Sequence, residues 1–381
     1  MLAKVPTSIR VGVKPTSISV RKFSTQSSKL EIRNPANGQV ITTVDADTSK
    51  TVAEKFARAR KAQPSWRNVP LEQKKKAIEK FGKILTDKHD KFAADLTSEV
   101  GKPLSQSGNE LKGVQPRLKF YLENIDAALT PRVTRETDKF KEEVRQEPLG
   151  TIANISAWNY PYFVGVNVFV PALLTGNTVV YKPSEYSTLT GTNIKNALYE
   201  AGIPEDAFQL VVGRGDVGEQ LLKQDIDGVF FTGSNATGYK IAQAVAGRMI
   251  KTQFELGGKD PTYVSENFDV EKAAKSLADG AMYNTGQSCC SVERIYVNSK
   301  VYDKFVEIFV NEVKSFTVGE PTDGKTYIGP LTMPKQPDFL QQQVQDAVSK
   351  GAKVLVGGKK IQKAGNWFEP TVLVNVNHTM A

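Results

Sequence analysis

Cysteine and histidine are scarce in this sequence. The 381 residues include two cysteines, Cys289 and Cys290, which are adjacent, and two histidines, His89 and His378. Two adjacent cysteines cannot build a disulfide framework, and so low a count is typical of a protein from a reducing compartment. Because zinc sites draw on several cysteine or histidine ligands, we also predict that the protein binds no metal.

Long apolar runs are missing as well. No stretch of about 18 consecutive apolar residues occurs, which excludes a transmembrane helix. Hydrophobic residues make up 40% of the chain and charged residues 24%, as in a globular protein rather than a disordered or fibrous one. A chain of this length is expected to form about two or three domains, each with its own hydrophobic core.

Acidic residues are absent from the first 30 positions. That segment carries six basic residues, and the first acidic residue is Glu31. An acid-free N-terminus rich in arginine and serine is typical of a mitochondrial transit peptide, although a disordered basic tail has the same composition. We predict a leader over residues 1–28 and a location in the mitochondrial matrix, with the cytoplasm as the alternative. Of the net charge of +9, residues 31–381 carry only about +3, so nucleic-acid binding is not expected.

The middle third of the chain alternates between apolar, β-branched runs and helical patterns. Each run is continuous, as in strands that are buried on both faces of a sheet. Strand–helix–strand repetition predicts a parallel sheet with right-handed crossovers, and ligands of such sheets bind beyond the carboxyl ends of the strands. The predicted strands are 151–155, 178–181, 209–212 and 228–231.

Further elements flank this region. The spacing of apolar residues predicts helices over 49–66 and 71–98. A second αβ pattern begins at Thr252. Its predicted strands are 262–264, 294–297, 353–356 and 368–373, and its predicted helices lie near 270–283 and 301–316.

Two segments of the second pattern carry side chains suited to catalysis. Cys289 lies on a glycine-containing turn, where a thiol can act as a nucleophile, although adjacent cysteines also occur as inert buried thiols. Glu255 precedes Gly257 and Gly258, which allow the backbone to approach a ligand closely. A partly desolvated glutamate there can activate water, and the alternative is an exposed acid at a strand-to-loop turn.

Three further segments follow predicted strands. Residues 231–238 open a helix whose free N–H groups suit a phosphate, although the glycine spacing alone is equally compatible with a structural turn. Asn159 can donate to a developing oxyanion, or it can belong to a loop anchored by Trp158. Glu185 can accept hydrogen bonds from ribose hydroxyls, as acidic residues do in dinucleotide-binding folds.

Taken together, these segments resemble the NAD(P)-dependent aldehyde dehydrogenase superfamily of the non-acylating type. The resemblance runs from about Leu30 to the C-terminus. Five motifs occur in the family's order and spacing, namely Trp158-Asn159, Lys182-Pro183-Ser184-Glu185, Phe231-Thr232-Gly233-Ser234, Glu255-Leu256-Gly257-Gly258-Lys259 and Gly286-Gln287-Ser288-Cys289. The resemblance implies an α/β protein with a Rossmann-type, parallel-sheet NAD-binding domain over 29–252, which carries an oligomerisation segment near 134–150. It also implies a second α/β catalytic domain over 253–381.

The resemblance also implies a role for individual residues. Cys289 would be the nucleophile, Glu255 the general base toward water, and Asn159 a donor of the oxyanion hole, while Cys290 would only be a neighbour. Glu185 would favour NAD over NADP, because its charge opposes a 2′-phosphate, although NADP use is possible. The implied cofactor-binding residues are Ser156, Trp158, Lys182, Glu185, Gly213, Gly218, Phe231, Thr232, Gly233, Ser234, Leu256 and Gly257.

The implied reaction is oxidation of a small aldehyde to the carboxylic acid with reduction of NAD. It would proceed through a thiohemiacetal and a thioester on Cys289, and relatives assemble as homodimers or homotetramers. Family members usually continue beyond residue 381 through a Glu-x-Phe-Gly-Pro segment that contacts the nicotinamide end of the cofactor. We therefore expect an incomplete catalytic domain, and the alternative function is a non-catalytic dinucleotide-binding or structural protein with the same fold.

Overall fold

The computed structural model describes residues 29–381, and the predicted leader 1–28 lies outside the described residues. The strands, in chain order, are β1 (Lys29–Arg33), β2 (Val40–Asp45), β3 (Arg132–Glu136), β4 (Lys141–Val144), β5 (Thr151–Ile155), β6 (Thr178–Lys182), β7 (Phe208–Leu210), β8 (Gly228–Thr232), β9 (Lys251–Glu255), β10 (Asp260–Val264), β11 (Val292–Val297), β12 (Lys353–Val356) and β13 (Val372–Val374). The α-helices are α1 (Ser49–Arg67), α2 (Leu71–Asp87), α3 (His89–Val100), α4 (Leu104–Leu129), α5 (Pro161–Leu174), α6 (Thr188–Ala201), α7 (Gly215–Leu222), α8 (Asn235–Val245), α9 (Val270–Met282), α10 (Tyr302–Ser315) and α11 (Gln336–Ser349).

A five-stranded sheet forms the centre of the first part of the chain. Its strand order is β7-β6-β5-β8-β9, and every neighbouring pair is parallel. All residues of β5, β6 and β7 are buried, which explains why their sequences are continuously apolar rather than alternating. The prediction of a parallel sheet built from strand–helix–strand units is confirmed.

Helices cover both faces of this sheet. Ile152 and Val179 point into one hydrophobic cluster with α2, α4, α5 and α6, whereas the next residues along the same strands, Ala153 and Val180, point into a second cluster with α1, α7 and α8. Alternation of side chains along a strand produces these two cores. The helices and the sheet therefore form three layers, as in other doubly covered parallel sheets.

The register of the strands brings their carboxyl ends to one edge. Ile155 of β5 is opposite both Lys182 of β6 and Phe231 of β8, and Thr232 is opposite Glu255 of β9. The segments that follow these strands must therefore leave the sheet at the same edge. This is where the sequence motifs lie.

The second part of the chain has its own small core. β10 and β11 form a parallel pair, and β12 and β13 form an antiparallel pair. Phe305, Phe309 and Val313 of α10 pack with α9 in a third hydrophobic cluster. The sheet of the first part extends through Glu255, because β9 pairs with β8. The boundary expected after residue 252 lies within β9, and the division into two domains stays a prediction.

Three predicted elements differ from the observed ones. The single helix predicted over 71–98 is two helices, because Lys88 leaves the helical conformation with φ −106° and ψ 19°. The apolar stripe continues across this break, so its periodicity gave no sign of it. The strand predicted over 209–212 is observed as β7 and is shorter, from Phe208 to Leu210. The strand predicted over 368–373 is observed only as β13, because Phe368 is buried in the loop before it.

The sequence analysis missed several elements, including β9 and α11, and two of those missed lie between α3 and β5. The first is α4, a helix of 26 residues that contains Pro116 and two glycines, which are signals that normally argue against a helix. The second is the hairpin of β3 and β4, in which every residue of β3 is exposed. This hairpin overlaps the segment near 134–150 that the resemblance associates with oligomerisation.

A buried side chain, Glu99, fixes the start of helix α6 near the sheet edge. The side-chain oxygens of Glu99, at the end of α3, accept hydrogen bonds from the N–H groups of Leu189 and Thr190 at 2.8 and 2.7 Å. These groups belong to the first turn of α6, where N–H groups lack partners inside the helix. Glu99 therefore holds the start of α6, which follows the segment 182–187.

Candidate active site

A cleft of about 1950 Å³ extends from the carboxyl edge of the five-stranded sheet along β11, α10 and α11 to residues 368–381. Thirteen of the fifteen predicted site residues line it, and the two that do not are Glu255 and Gly213. The thirteen are Ser156, Trp158, Asn159, Lys182, Glu185, Gly218, Phe231, Thr232, Gly233, Ser234, Leu256, Gly257 and Cys289.

The two remaining predicted residues are close to the cleft but do not border it. Glu255 ends β9 with an exposed side chain, and its backbone carbonyl accepts a hydrogen bond from the Gly233 N–H at 3.0 Å. Gly213 is buried in the turn before α7, where an added Cβ would lie 2.3 Å from a methyl carbon of Val217. In this conformation Gly213 allows the turn to pack, and Glu255 faces solvent.

One end of the cleft is formed by helix starts and small residues. Ser234 caps α8, and its side-chain oxygen accepts a hydrogen bond from the Thr237 N–H at 3.3 Å. The first N–H groups of a helix have no partner within it and attract an anion. Gly215 and Gly218 of α7 border the same end, and an added Cβ on Gly215 would meet no atom within 4 Å. This end therefore suits the phosphates and sugar of a nucleotide.

Lys182 is the last residue of β6 and packs beside Gly218 of α7, and Glu185 follows it three positions later. Lys182 is almost completely buried, and its amine donates to the Pro183 carbonyl at 3.2 Å. Burial lowers the pKa of Lys182, and the charges of Glu185 and Asp216 oppose that effect. Lys182 is thus a donor held at the floor of the cleft, and the half-buried Glu185 is an acceptor beside it.

These groups fit the adenosine part of a dinucleotide. The cleft offers a lysine and a carboxylate for ribose hydroxyls, a helix N-terminus for the phosphates and glycines that leave room for both. The buried hydroxyl oxygens of Ser156 and Ser187 have no hydrogen-bond partner within residues 29–381. A buried polar atom without a partner is uncommon, and Ser156 borders the cleft at a position where a bound cofactor can supply one.

The other end of the cleft contains the cysteine loop. Asn284, Thr285 and Gly286 have φ angles of 56°, 57° and 70°, so three consecutive residues adopt the left-handed conformation. Such a conformation is costly for residues other than glycine, and asparagine tolerates it best among them. The turn leads to Cys289, whose side chain is exposed and free of any disulfide.

The pKa of Cys289 is higher than that of an ordinary cysteine. Although the side chain is exposed at the cleft, partial desolvation raises the pKa of Cys289, and the neighbouring Cys290 and the charge of Glu255 raise it further. A thiolate is the reactive form of cysteine. In the protein alone, Cys289 is therefore held mainly as a thiol at neutral pH.

Asn159 lies opposite the cysteine loop at the start of α5. Its Nδ2 donates to the Gln287 carbonyl at 3.0 Å, and its Oδ1 accepts from the Tyr160 N–H at 3.1 Å. These two contacts determine which side of the amide is nitrogen. One N–H of the Asn159 amide is thus used by Gln287, and the second remains available to a substrate oxygen.

The segment after Glu255 touches the cysteine loop directly. An added Cβ on Gly258 would lie 2.4 Å from the backbone oxygen of Cys289, which is closer than any real contact of this type. Gly258 therefore permits the close approach of the two chain segments. This explains in steric terms why a glycine follows Glu255 by three positions.

A buried ion pair supports the segment that carries Asn159. The Lys102 amine contacts the Glu110 carboxylate, and both side chains are buried, with 0% and 1% exposure. The other oxygen of Glu110 accepts from the N–H groups of Tyr162 and Phe163 in the first turn of α5, at 2.8 and 3.3 Å. Sequence reasoning missed this pair, and the only signal was that the apolar pattern of α4 includes a glutamate on its buried side.

The aromatic residues near Asn159 have different environments. Tyr160 lines the cleft, and the Lys102 amine lies 4.0 Å from the centre of its ring. Phe163 packs against the large hydrophobic cluster, with the Arg117 guanidinium 5.3 Å above its ring. Tyr283 accepts a hydrogen bond from Asn109 at 3.3 Å. Of these three aromatic residues, Tyr160 is the one that forms a wall of the cleft.

Comparison with known proteins identifies the family of this chain. A model of the aldehyde dehydrogenase family matches residues 23–381. The chain belongs to the aldehyde dehydrogenase family. It is 31% identical to a Deinococcus radiodurans protein named succinate-semialdehyde dehydrogenase NADP(+), over 91% of this chain and 73% of that protein. It is 30% identical to the mitochondrial succinate-semialdehyde dehydrogenase of Oryza sativa subsp. japonica, over 92% of this chain and 67% of that protein.

Solved structures have the same fold. The crystal structure of PnpE in complex with nicotinamide adenine dinucleotide superposes with a TM-score of 0.88 and 29% identity, over 91% of this chain and 72% of that one. The expectations of the aldehyde dehydrogenase fold and of an enzyme that oxidises an aldehyde with NAD(P) are therefore confirmed. The chain spans about two thirds to three quarters of the length of these relatives.

Two further findings concern the described residues only. Within residues 29–381, no group of three or more histidine, cysteine, aspartate or glutamate side chains is arranged to hold a metal ion. No helix in that part of the chain is long and apolar enough to cross a membrane.

Proposed function

We propose that Cys289 attacks the aldehyde carbon and forms a thiohemiacetal. The observation that carries this proposal is the position of Cys289, exposed at the cleft and opposite the Asn159 amide. As the carbon–sulfur bond forms, the thiol proton passes to solvent water and the aldehyde oxygen gains negative charge. The free N–H of Asn159 and the backbone N–H of Cys289 stabilise this charge.

The next step converts the thiohemiacetal to a thioester on Cys289. A bound NAD supplies an acceptor for the hydride that leaves the former aldehyde carbon. The role of the protein is to hold the cofactor at Ser234, Lys182 and Glu185 and to keep the carbon atom on Cys289 within reach. The carbon–oxygen double bond then reforms, and the acyl group stays on sulfur.

Glu255 is proposed to activate the water that releases the acid. Its carboxylate takes a proton from water as the oxygen attacks the thioester, and the Cys289 sulfur leaves as the thiolate. Glu255 is supported in this role by its influence on Cys289 and by the contact between Gly258 and the Cys289 carbonyl. Its side chain faces solvent and must rotate toward the cleft to act.

Preference for NAD over NADP is a second part of the proposal. Glu185 is half-buried at the cleft beside Lys182, so a 2′-phosphate on the ribose would meet a negative charge. A change of Glu185 to the neutral isostere Gln should therefore improve the use of NADP relative to NAD. The measurement is kcat/KM for each cofactor. An unchanged ratio would contradict this role of Glu185.

The activity itself is tested by NADH formation at 340 nm. We suggest succinate semialdehyde and butanal as the first substrates, because relatives are named for the former and the latter lacks the second carboxylate. Wild-type chain should produce NADH with at least one of them, and Cys289→Ala should not. Activity that survives Cys289→Ala would overturn the proposal. The ratio of the two rates shows whether the enzyme selects a carboxylate.

We also propose a mitochondrial location directed by residues 1–28. The proposal is supported by the acid-free, basic composition of that segment and by the mitochondrial relative from Oryza sativa. Residues 1–28 fused to a fluorescent protein should direct it to mitochondria, and residues 29–381 alone should not be imported. A cytoplasmic signal from the first fusion would contradict the proposal.

We also propose which part of the chain binds the cofactor, which carries the thiol and which self-associates. We assign the cofactor to the part that ends with β9 and the thiol to the part that follows it, because each has its own hydrophobic cluster. We assign self-association to the exposed β3–β4 hairpin and expect a homodimer or homotetramer. Light scattering after gel filtration measures this state, and a monomer would contradict it.

A further inference from the structure

Asn284 is buried between the two segments that form the reacting end of the cleft. It has no exposed surface, although it lies on the loop that leads to Cys289. Its side-chain Nδ2 donates to the backbone carbonyl of Asn159 at 3.1 Å and to that of Gln287 at 3.2 Å. Since both neighbours are carbonyl acceptors, the orientation of the Asn284 amide is unambiguous.

The backbone of Asn284 is held from a third direction. Its N–H donates to Oε1 of Gln106 on α4 at 2.8 Å, and Nε2 of the same glutamine donates to the Tyr327 carbonyl at 2.9 Å. Asn284 adopts the left-handed conformation with φ 56°, which is tolerated because several contacts restrain it. One asparagine thus links α4, the start of α5 and the cysteine loop.

We propose that Asn284 is a positioning residue that sets the separation of the two donors of the oxyanion hole. This inference rests on the proposed function of Asn159 and Cys289. The two donors lie on different chain segments, one before α5 and one on the cysteine loop. Asn284 bonds the carbonyl of the residue that carries the first donor and the carbonyl two residues before Cys289.

The hydrogen-bond pattern makes this link specific. The Gln287 carbonyl accepts from both Asn159 and Asn284, at 3.0 and 3.2 Å. Asn284 therefore holds the acceptor that orients the Asn159 amide and also holds the backbone of Asn159 itself. Without Asn284, the amide and the cysteine loop can move apart by a fraction of an ångström, and oxyanion stabilisation depends on that geometry.

The test uses Asn284→Gly, which removes the amide but keeps a residue that accepts the left-handed conformation. We expect kcat to fall about 10- to 100-fold while the KM for NAD stays unchanged. Met249→Gly is the matched control, because Met249 also has a positive φ of 54° but is exposed outside the cleft. The control should keep the wild-type kcat.

A double-mutant cycle separates positioning from general support of the fold. If Asn284 acts through Asn159, the double variant Asn159→Ala/Asn284→Gly should be within about threefold of Asn159→Ala alone. Asn284→Ala should show the same loss of kcat as Asn284→Gly with a lower Tm, because alanine is strained at this φ. Losses that multiply in the double variant, or an Asn284→Gly enzyme with wild-type kcat, would overturn the inference.

A readout independent of turnover completes the test. Hydrogen exchange in Asn284→Gly should increase in peptides that cover 157–160 and 287–289 and stay unchanged in the five-stranded sheet. Unchanged exchange in those two segments would overturn the inference, whether or not the enzyme is active. A wild-type chain that forms no NADH contradicts the proposed function instead, so the two failures are distinguishable.

Discussion

The buried pair of Lys102 and Glu110 allows a quantitative test of how the Asn159 segment is held. In Lys102→Met the carboxylate of Glu110 loses its cation, and it is enclosed with 1% of its side chain exposed. Breaking a buried pair on one side costs about 3–5 kcal/mol, because the remaining charge is uncompensated. Two N–H groups at the start of α5 still hold Glu110, so we expect a value near the lower limit.

The expected change in Tm follows from the size of the protein. At about 2.1 cal/mol/K per residue, unfolding of the 353 described residues has an entropy near 0.7 kcal/mol/K. A loss of about 3–4 kcal/mol then lowers Tm by roughly 5 °C. The same variant should lose activity, since the Lys102 amine also packs on the Tyr160 ring next to Asn159.

The double variant Lys102→Met/Glu110→Gln is the matched control. It replaces the ion pair by an apolar side chain and a neutral amide that can still accept the α5 N–H bonds. Replacing both partners should recover most of the loss, to within about 1–2 kcal/mol of wild type. Calorimetry measures all three proteins. A single variant that loses less than about 1 °C, or a double variant worse than the single, would refute the reasoning.

Three further predictions concern other sites. Gly258→Ala should lower kcat at least tenfold, because the added Cβ would lie 2.4 Å from the backbone oxygen of Cys289. Gly324→Ala is the control and should leave kcat unchanged, because an added Cβ at Gly324 would have no atom within 4 Å. Burial raises the pKa of Glu99 to about 8, so the folded state favours the protonated form, and stability should fall as pH rises from about 5 to 8. Glu99→Gln should lose that pH dependence of Tm. Its Tm at pH 5 should be lower than that of the wild type, because one backbone hydrogen bond is lost. Parallel profiles of Tm against pH for the wild type and Glu99→Gln would contradict this prediction. Removing Cys290 as Cys290→Ala should lower the pKa of Cys289 and speed its alkylation by iodoacetamide at pH 7, and a slower reaction would contradict that effect.

The sheet edge could be predicted because its signals are local in sequence. Continuous apolar strands end within four residues of Asn159, Lys182 and Ser234, and the carboxyl ends of parallel strands must meet at one edge. The three motifs that contain Asn159, Lys182 and Ser234 could therefore be placed together without knowledge of any long-range contact, whereas the motifs of Glu255 and Cys289 were placed with them by the family resemblance. Glu255 was assigned to the same place, but its side-chain direction depends on a rotamer that sequence does not specify.

Long-range partners could not be predicted. Lys102 and Glu110 are an ordinary basic and acidic residue in the sequence, and only the packing of α4 on α5 buries them. Asn284 likewise becomes important only when α4 and the start of α5 meet at its loop. Helix α4 itself was missed because Pro116 and its glycines outweigh its weak apolar periodicity, and tertiary packing overrides such local signals.

The central claim is that Cys289 carries the acyl group during aldehyde oxidation. The most direct measurement uses Glu255→Gln, in which release of the acid should be slow. The variant is mixed with aldehyde and NAD, quenched in acid and digested, and the cysteine peptide is analysed by mass spectrometry. We predict the mass of the acyl group on Cys289 together with about one equivalent of NADH. An acyl group on Cys290, or NADH formed with no acylated cysteine, would contradict the account.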